Sequence, residues 1–255
     1  MGRREASRSS FWRVEATPRS AFVDLSIKPR DKSLIREMCR NAIRLGFSAL
    51  GLTLDPSATP EEMGAVKSMV ADFKPQLEVF TRAEIAPRKR RSLLNMLSQV
   101  RNRFEVVSVR CVSNEVALVA ARDRRVDSVL FPCDGNPRMS LGVASICRNP
   151  LEVELQPLIM DQGERRRRCF LLLSQDLRRA LAAGLPVAVS SGARDLLQQR
   201  SPLALSSILA ALGVGGSEAA KAMGSLVISR LQANRRKLSH HYLEEGVAVA
   251  KRPSC

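Results

Sequence analysis

The sequence predicts an α/β fold, a TIM-barrel-like (β/α) barrel with irregular closure and extra C-terminal helices, and three observations predict it. From Ala21 onward, short β-branched or apolar runs alternate with amphipathic helical patterns. Seven such strand-helix steps fill about 210 residues, the scale of a (β/α)₈ barrel. The 255 residues, 45% of them hydrophobic, suffice for one sizeable core. An open doubly wound sheet is the alternative arrangement of the same elements.

Taken in order, residues 1–20 hold five Arg, two Glu and little periodicity, and read as a basic disordered arm. The barrel domain spans 21–240 and a C-terminal tail 241–255. Strands are expected at Phe22–Ile27, Ala49–Leu54, Leu77–Thr81, Val106–Arg110, Ser128–Phe131, Leu151–Leu155 and Val187–Ser190. Between them Leu34, Met38, Ala42 and Leu45 mark a helix face, and Gly46 supplies its C-cap. Leu93, Leu97 and Val100 mark another, and Phe170, Leu173, Leu177 and Leu181 a third, ended by Gly184 and Pro186. No eighth strand is visible. Beyond Pro202 the chain reads as helices over 203–212, 217–223 (Ser217 as N-cap) and 225–238, with Gly213–Gly216 joining the first two.

Charge narrows the function. Lys and Arg number 41 against 25 Asp and Glu, a net +16, and the pI is near 10.7. That excess favours a polyanion, because each neutralised phosphate releases condensed counterions. Aromatics are only 4% of the chain, so backbone and shape contacts should outweigh base stacking.

Much chemistry is missing. The two histidines, His240 and His241, are adjacent; on a helix they would point about 100° apart, a poor metal pair. No histidine precedes them to act as a base or zinc ligand in the barrel. The six cysteines include no CxxC pair, and the chain reads as reduced and intracellular. The N-terminus carries no apolar signal segment, and no run approaches membrane-span length. Asp24 and Glu152 fall within strands, and Glu84 and Asp134 near strand ends. They either pair inside the barrel or form an oxygen-only Mg²⁺ cluster of a phosphoesterase.

Three basic clusters remain. Arg88, Lys89, Arg90 and Arg91 open one helix, and Arg165, Arg166, Arg167 and Arg168 open another. Positive charge opposes the helix dipole there, which suggests an external anion such as phosphate. Arg235, Arg236 and Lys237 sit near a helix C-terminus, where either the helix dipole or a bound RNA phosphate accounts for them. Ser190, Ser191 and Gly192 follow the seventh strand, where barrels often hold phosphate, with Arg194 and Arg200 nearby. Leu209, Leu212, Val227, Ile228 and Leu231 are the expected apolar patch for a protein partner, with barrel core as the alternative.

Several segments together resemble protein component 3 of ribonuclease P, the archaeal and eukaryotic thirty-kilodalton-subunit family. They are FVDLSI with Asp24, RLGFSALGLTL (Arg44–Leu54), RVDSVLFP (Arg125–Pro132) and LEVELQPL with Glu152 and Pro157. VAVSSGA, RSPLAL (Arg200–Leu205), GGSEAAKAM and NRRKL complete the set. The resemblance implies a barrel like the polymerase-and-histidinol-phosphatase type without its metal-binding histidines; here the first strand reads Asp24-Leu25-Ser26. It implies an RNA-binding accessory subunit of an RNA-based endonuclease that removes 5′ leaders from precursor tRNA. Catalysis then belongs to the RNA and its Mg²⁺, with no cofactor in the subunit itself. The implied partners are ribonuclease P RNA, a second small protein (component 2) and, indirectly, precursor tRNA, with no membrane. The implied compartment is the cytoplasm, or the nucleolus in a eukaryote. A structural ribosome- or chromatin-associated protein would share the charge but not the repeated strand-helix order.

Overall fold

A computed structural model of the chain describes residues 21–239, 242–244 and 247–248. The N-terminal arm, His240, His241 and most of the tail lie outside them.

Seven strands form one parallel sheet in sequence order: β1 (Val23–Ile27), β2 (Ala49–Leu54), β3 (Glu78–Ile85), β4 (Val106–Arg110), β5 (Ser128–Leu130), β6 (Leu151–Glu154) and β7 (Val187–Ser190). The helices α1 (Leu34–Leu45), α2 (Pro60–Val70), α3 (Arg90–Val100), α4 (Asn114–Ala120), α5 (Leu141–Ile146), α6 (Gln156–Met160) and α7 (Gly163–Ala182) alternate with them. Strands covered on both faces bury nearly every position, which is why they read as apolar runs. Gly46 ends α1 at φ 97°, the left-handed C-cap expected from its spacing.

Sequential order curls the sheet into a barrel whose ends meet at β7 and β1. No eighth strand stands there among the described residues, and the seven strands are the seven the sequence showed. The chain beyond β7 closes the seam instead. Ile27 bridges Ala193, the Gly192 N–H donates to the Ser26 carbonyl at 2.9 Å, and the Lys28 N–H to the Ala193 carbonyl at 2.7 Å. The closure is irregular, as the sequence suggested.

After the seam come α8 (Pro202–Ala211), α9 (Gly216–Ala222) and α10 (Ser225–Lys237), then a short hairpin of β8 (Tyr242–Glu244) and β9 (Val247–Ala248). Gly215, not Ser217, precedes α9 as its N-cap. Helix α10 plugs the N-terminal mouth of the barrel. Its Ile228 and Leu231 pack with Val23, Leu25, Ala49, Phe80, Val106 and Ala188. Leu209 and Leu212 are likewise buried in the main core. The expected partner patch on these helices is therefore core, because a seven-stranded barrel needs an apolar cap at its open end.

Two further expectations change. β3 runs to Ile85, not Thr81, because inward barrel positions accept Arg82 and Glu84 once they are paired. The reading of a fully reduced chain fails at one place: a disulfide joins Cys133, after β5, to Cys169 in α7. The two lie 36 residues apart in sequence, so local spacing gives no sign of it. Cys39, Cys111 and Cys147 are free and buried, and burial pushes the Cys39 thiol up to about 12.

Candidate nucleic-acid interface

The barrel interior is stratified. Below lies the apolar layer capped by α10. Above it the Arg82 guanidinium, fully buried, donates to Glu152 at 2.6 Å and to the Leu25 carbonyl at 3.0 Å. Glu152 also accepts from Ser128 at 2.6 Å and Ser108 at 3.1 Å. Gly51 gives this layer room, since a Cβ there would meet the Leu25 carbonyl at 2.0 Å. The upper layer is an ion lattice. Lys28 touches Glu84 at 2.9 Å and Glu154 at 2.5 Å, while Arg110 holds Glu84 at 2.8 Å and also pairs with Glu154.

Three cations, Lys28, Arg82 and Arg110, thus match three carboxylates, Glu84, Glu152 and Glu154. Burial alone would raise the Glu84 carboxyl, but Arg82, Arg110 and Lys28 outweigh it and hold the group at about 2. Burial also acts to raise Glu152, yet Arg82 and the hydroxyls around it keep its value lowered. Asp24 differs. Burial raises it to about 6, although it accepts the Ser191 and Ser26 N–H groups at 2.8 and 3.2 Å.

This donor set does not fit a divalent cation. Glu84, Glu152 and Glu154 are each bonded to a protein cation, Asp24 accepts two backbone N–H groups, and among the described residues no three His, Cys, Asp or Glu are grouped to hold a metal. Asp134 stands apart on an exposed loop. The oxygen-only cluster of the alternative reading is replaced by an internal salt lattice.

The seam loop is not an anion cradle either. Ser190 and Ser191 are fully buried. The N–H groups of Ser191, Gly192, Ala193 and Arg194 go to Asp24, the Ser26 carbonyl, Ser191 Oγ and Gln198 respectively. They are consumed in closing the barrel, and only the exposed Arg194 faces outward.

The first two basic clusters do face outward. Arg88, Lys89, Arg90 and Arg91 are all exposed, and none makes an ion pair among the described residues. Lys89 is the N-cap of α3, whose first turn holds no acid. Arg165 to Arg168 are exposed on the opening turns of α7; Arg167 pairs with Glu164, and Arg166 Nε donates to the Asp161 carbonyl at 2.6 Å. Both helices start beyond the C-terminal ends of their strands, three strands apart in a ring of seven, so the clusters flank the barrel mouth from opposite sides. A cavity of about 530 Å³ opens over the salt lattice, lined by Lys28, Glu84, Arg110 and Glu154 and reaching Arg194.

The third cluster divides. Arg235 is a structural clamp: it pairs with Glu78 at 2.8 Å and Glu105 at 2.5 Å and stacks 4.0 Å from the Phe80 ring. Arg236 and Lys237 are exposed but lie on the plugged face, opposite the mouth. Arg200 is half-buried and donates to the Leu197 and Gln199 carbonyls at 2.6 and 2.9 Å.

Sequence reasoning missed Lys28, Arg82, Arg110 and Glu154. The available signal was the alternation Phe80, Arg82, Glu84, which continues the strand period through charged residues.

The model of the RNase P subunit p30 family matches residues 21–238. Ribonuclease P protein component 3 of Aeropyrum pernix is 27% identical over 202 residues, 78% of this chain and 90% of the relative. That of Methanosarcina barkeri is 24% identical over 225 residues, 87% of this chain and 91% of the relative. Among solved structures, a chain of an archaeal ribonuclease P with mature tRNA superposes with a TM-score of 0.74 at 20% identity. That match covers 91% of this chain and 99% of the other. A histidinol phosphate phosphatase from Lactococcus lactis, complexed with zinc, histidinol and phosphate, superposes with a TM-score of 0.54 at 13% identity. It covers 78% of this chain and 93% of the other, a likeness of fold.

Proposed function

The chain belongs to the RNase P subunit p30 family, and from that premise we propose that it acts as an RNA-binding protein subunit of ribonuclease P. It supports removal of 5′ leaders from precursor tRNA, and the RNA with its Mg²⁺ performs the cleavage. The observation that carries this reading is a pairing asymmetry. Inside the barrel, cations and carboxylates cancel; at the mouth, Arg88, Lys89, Arg90, Arg91, Arg165, Arg166 and Arg168 have no carboxylate partner among the described residues. Unpaired arginines at helix starts oppose the helix dipole, and a phosphate backbone across the mouth relieves that. Arg194 extends the track, while Arg236 and Lys237 can reach only RNA that passes the other face.

The partners are ribonuclease P RNA and a second small protein of the component 2 type, with precursor tRNA reached through the RNA. No described helix is long and apolar enough to cross a membrane, and we place the protein in the cytoplasm. The test is reconstitution. The chain alone should leave precursor tRNA intact, and adding it with the second protein to ribonuclease P RNA should raise leader cleavage. Cleavage by the chain alone, lost on Glu84→Gln, would revive the phosphoesterase reading.

A further inference from the structure

The plugged end of the barrel is not completely filled. A cavity of about 470 Å³ lies there between α9, α10 and the end of α7, with Leu25, Val106, Leu181, Ala188, Val227 and Leu231 among its walls. Leu25, Val106, Ala188 and Leu231 belong to the apolar cluster under the plug, so the cavity opens directly onto that core. Its volume lies in the range of about 300–1,000 Å³ that takes a bulky group, and its walls favour an apolar one. Asp127 at its base is already bonded to Arg101 and Asn234. The other charged groups, Glu218, Lys221 and Arg230, are half-buried or exposed at its edge.

The chain enters the barrel at the same place. β1 begins at Val23, whose N–H donates at 2.8 Å to the carbonyl of Met223, in the link between α9 and α10. Ala21 and Val227 both pack against the cluster under the plug. The segment before Ala21 therefore leaves the fold beside the cavity. Met1 apart, residues 1–20 carry their bulky apolar side chains in one stretch, Phe11, Trp12 and Val14, and Trp12 is the only tryptophan of the chain. Nine residues separate Trp12 from Ala21, enough to span about 30 Å when extended. Leu25 and Ala188 stand on β1 and β7, the strands that meet at the seam, so the cavity is well within reach.

We propose that the N-terminal arm folds back and seats Trp12 in this cavity, with Val14 on the same side of the extended arm. The indole supplies the apolar ring that the walls call for. Its N–H needs an acceptor when buried, and the Glu218 carboxylate stands at the edge, bonded to Ser217 and 3.5 Å from Lys221 with lone pairs to spare. The other terminal stretch outside the described residues, 249–255, holds no aromatic residue. RNA gains little from aliphatic walls, which neither pair with phosphate nor stack on bases. A tether this short sets an effective concentration on the order of millimolar, which favours the chain's own arm over that of a second copy. Anchored at Trp12, the neighbouring Arg8 and Arg13 stay on the plugged face with Arg236 and Lys237, away from the mouth.

The test uses the full chain, in which fluorescence excited at the indole reports Trp12 alone. Native emission should lie to the blue of a solvated indole and be independent of protein concentration. Val227→Phe places another ring in the cavity, and Leu181→Glu sets a charge in its wall. Each should shift the emission to the red and raise acrylamide quenching at least about threefold. Both positions are half-buried, and circular dichroism should show both variants folded. Trp12→Ala alters no barrel residue, and its emptied cavity should bind anilinonaphthalene sulfonate, which the native chain excludes. Solvent-like emission from the folded native chain would overturn the proposal. So would protection that survives both cavity variants, which puts Trp12 elsewhere. Protection that grows with protein concentration would assign the cavity to the arm of a second copy. Dye uptake by the native chain equal to that of Trp12→Ala would show a cavity open to free apolar molecules, and either result also overturns the proposal.

Discussion

Arginine does opposite work in two regions of this barrel. In the lumen, Arg82 and Arg110 each meet two carboxylates, and the cations and acids balance one for one. At the mouth a few residues away, the openings of α3 and α7 carry arginines of which only Arg167 has a carboxylate partner among the described residues. The inner set removes the open carboxylates that a metal-dependent barrel would need. The outer set leaves charge for something outside. Positive charge is therefore not spread evenly: the lumen lattice is balanced, and the unpaired cations of the two helix starts lie at the exposed rim.

Breaking the inner set should cost stability and nothing else. Arg82→Met strands Glu152 without its counterion and should lower unfolding free energy by about 3–5 kcal/mol, read as a shift of the urea midpoint. RNA affinity of the folded fraction should be unchanged; an affinity loss with native stability would blur the division between lumen and rim.

Asp24 gives a pH-dependent version of the same test. Its folded-state value of about 6 lies above its ordinary 3.8. Between those values the folded protein keeps a proton that the unfolded chain has released. Stability from this group is thus present below pH 3.8 and falls as pH rises to about 6, by roughly 3 kcal/mol. Glu84, held at about 2, acts in the opposite sense: its contribution is present above pH 4.5 and lost as pH falls toward 2. Asp24→Asn should flatten the decline between pH 4 and 6 in thermal melts; an unaltered slope would mean that Asp24 is not the buried proton. Arg235→Ala should cost about 2 kcal/mol, since charged hydrogen bonds and a ring contact are lost. Arg236→Ala with Lys237→Ala should cost less than about 0.5 kcal/mol. Equal effects of the two changes would deny Arg235 its clamp role.

The sequence made the outer region legible and the inner one only in part. Runs such as Arg165–Arg168 show their exposure directly, because four consecutive cations have nowhere to hide on a helix. Most strands were readable because parallel strands bury apolar residues on both faces. The lumen lattice was harder, since Lys28, Arg82, Arg110 and Glu154 come from four strands or their ends and meet only after closure. The same holds for the seam: Ser190 and Ser191 look like a phosphate loop until Asp24, 167 residues from Ser191, is seen to take the Ser191 N–H. Apolar residues near the C-terminus gave no sign of which side they cover. Leu209 and Leu231 are core, whereas Leu203, one motif earlier, is exposed.

The rim itself is tested most directly by the salt dependence of binding to ribonuclease P RNA. In Arg165→Ala/Arg166→Ala/Arg168→Ala, stability should move by less than about 0.5 kcal/mol per site, because none of the three forms an ion pair among the described residues. The slope of log affinity against log salt should become shallower by roughly 0.7 to 0.9 for each phosphate contact removed, about 2 to 2.7 in all. An unchanged slope in the folded triple variant would show that these arginines are a solvated face, and would contradict the account of the mouth as the RNA track.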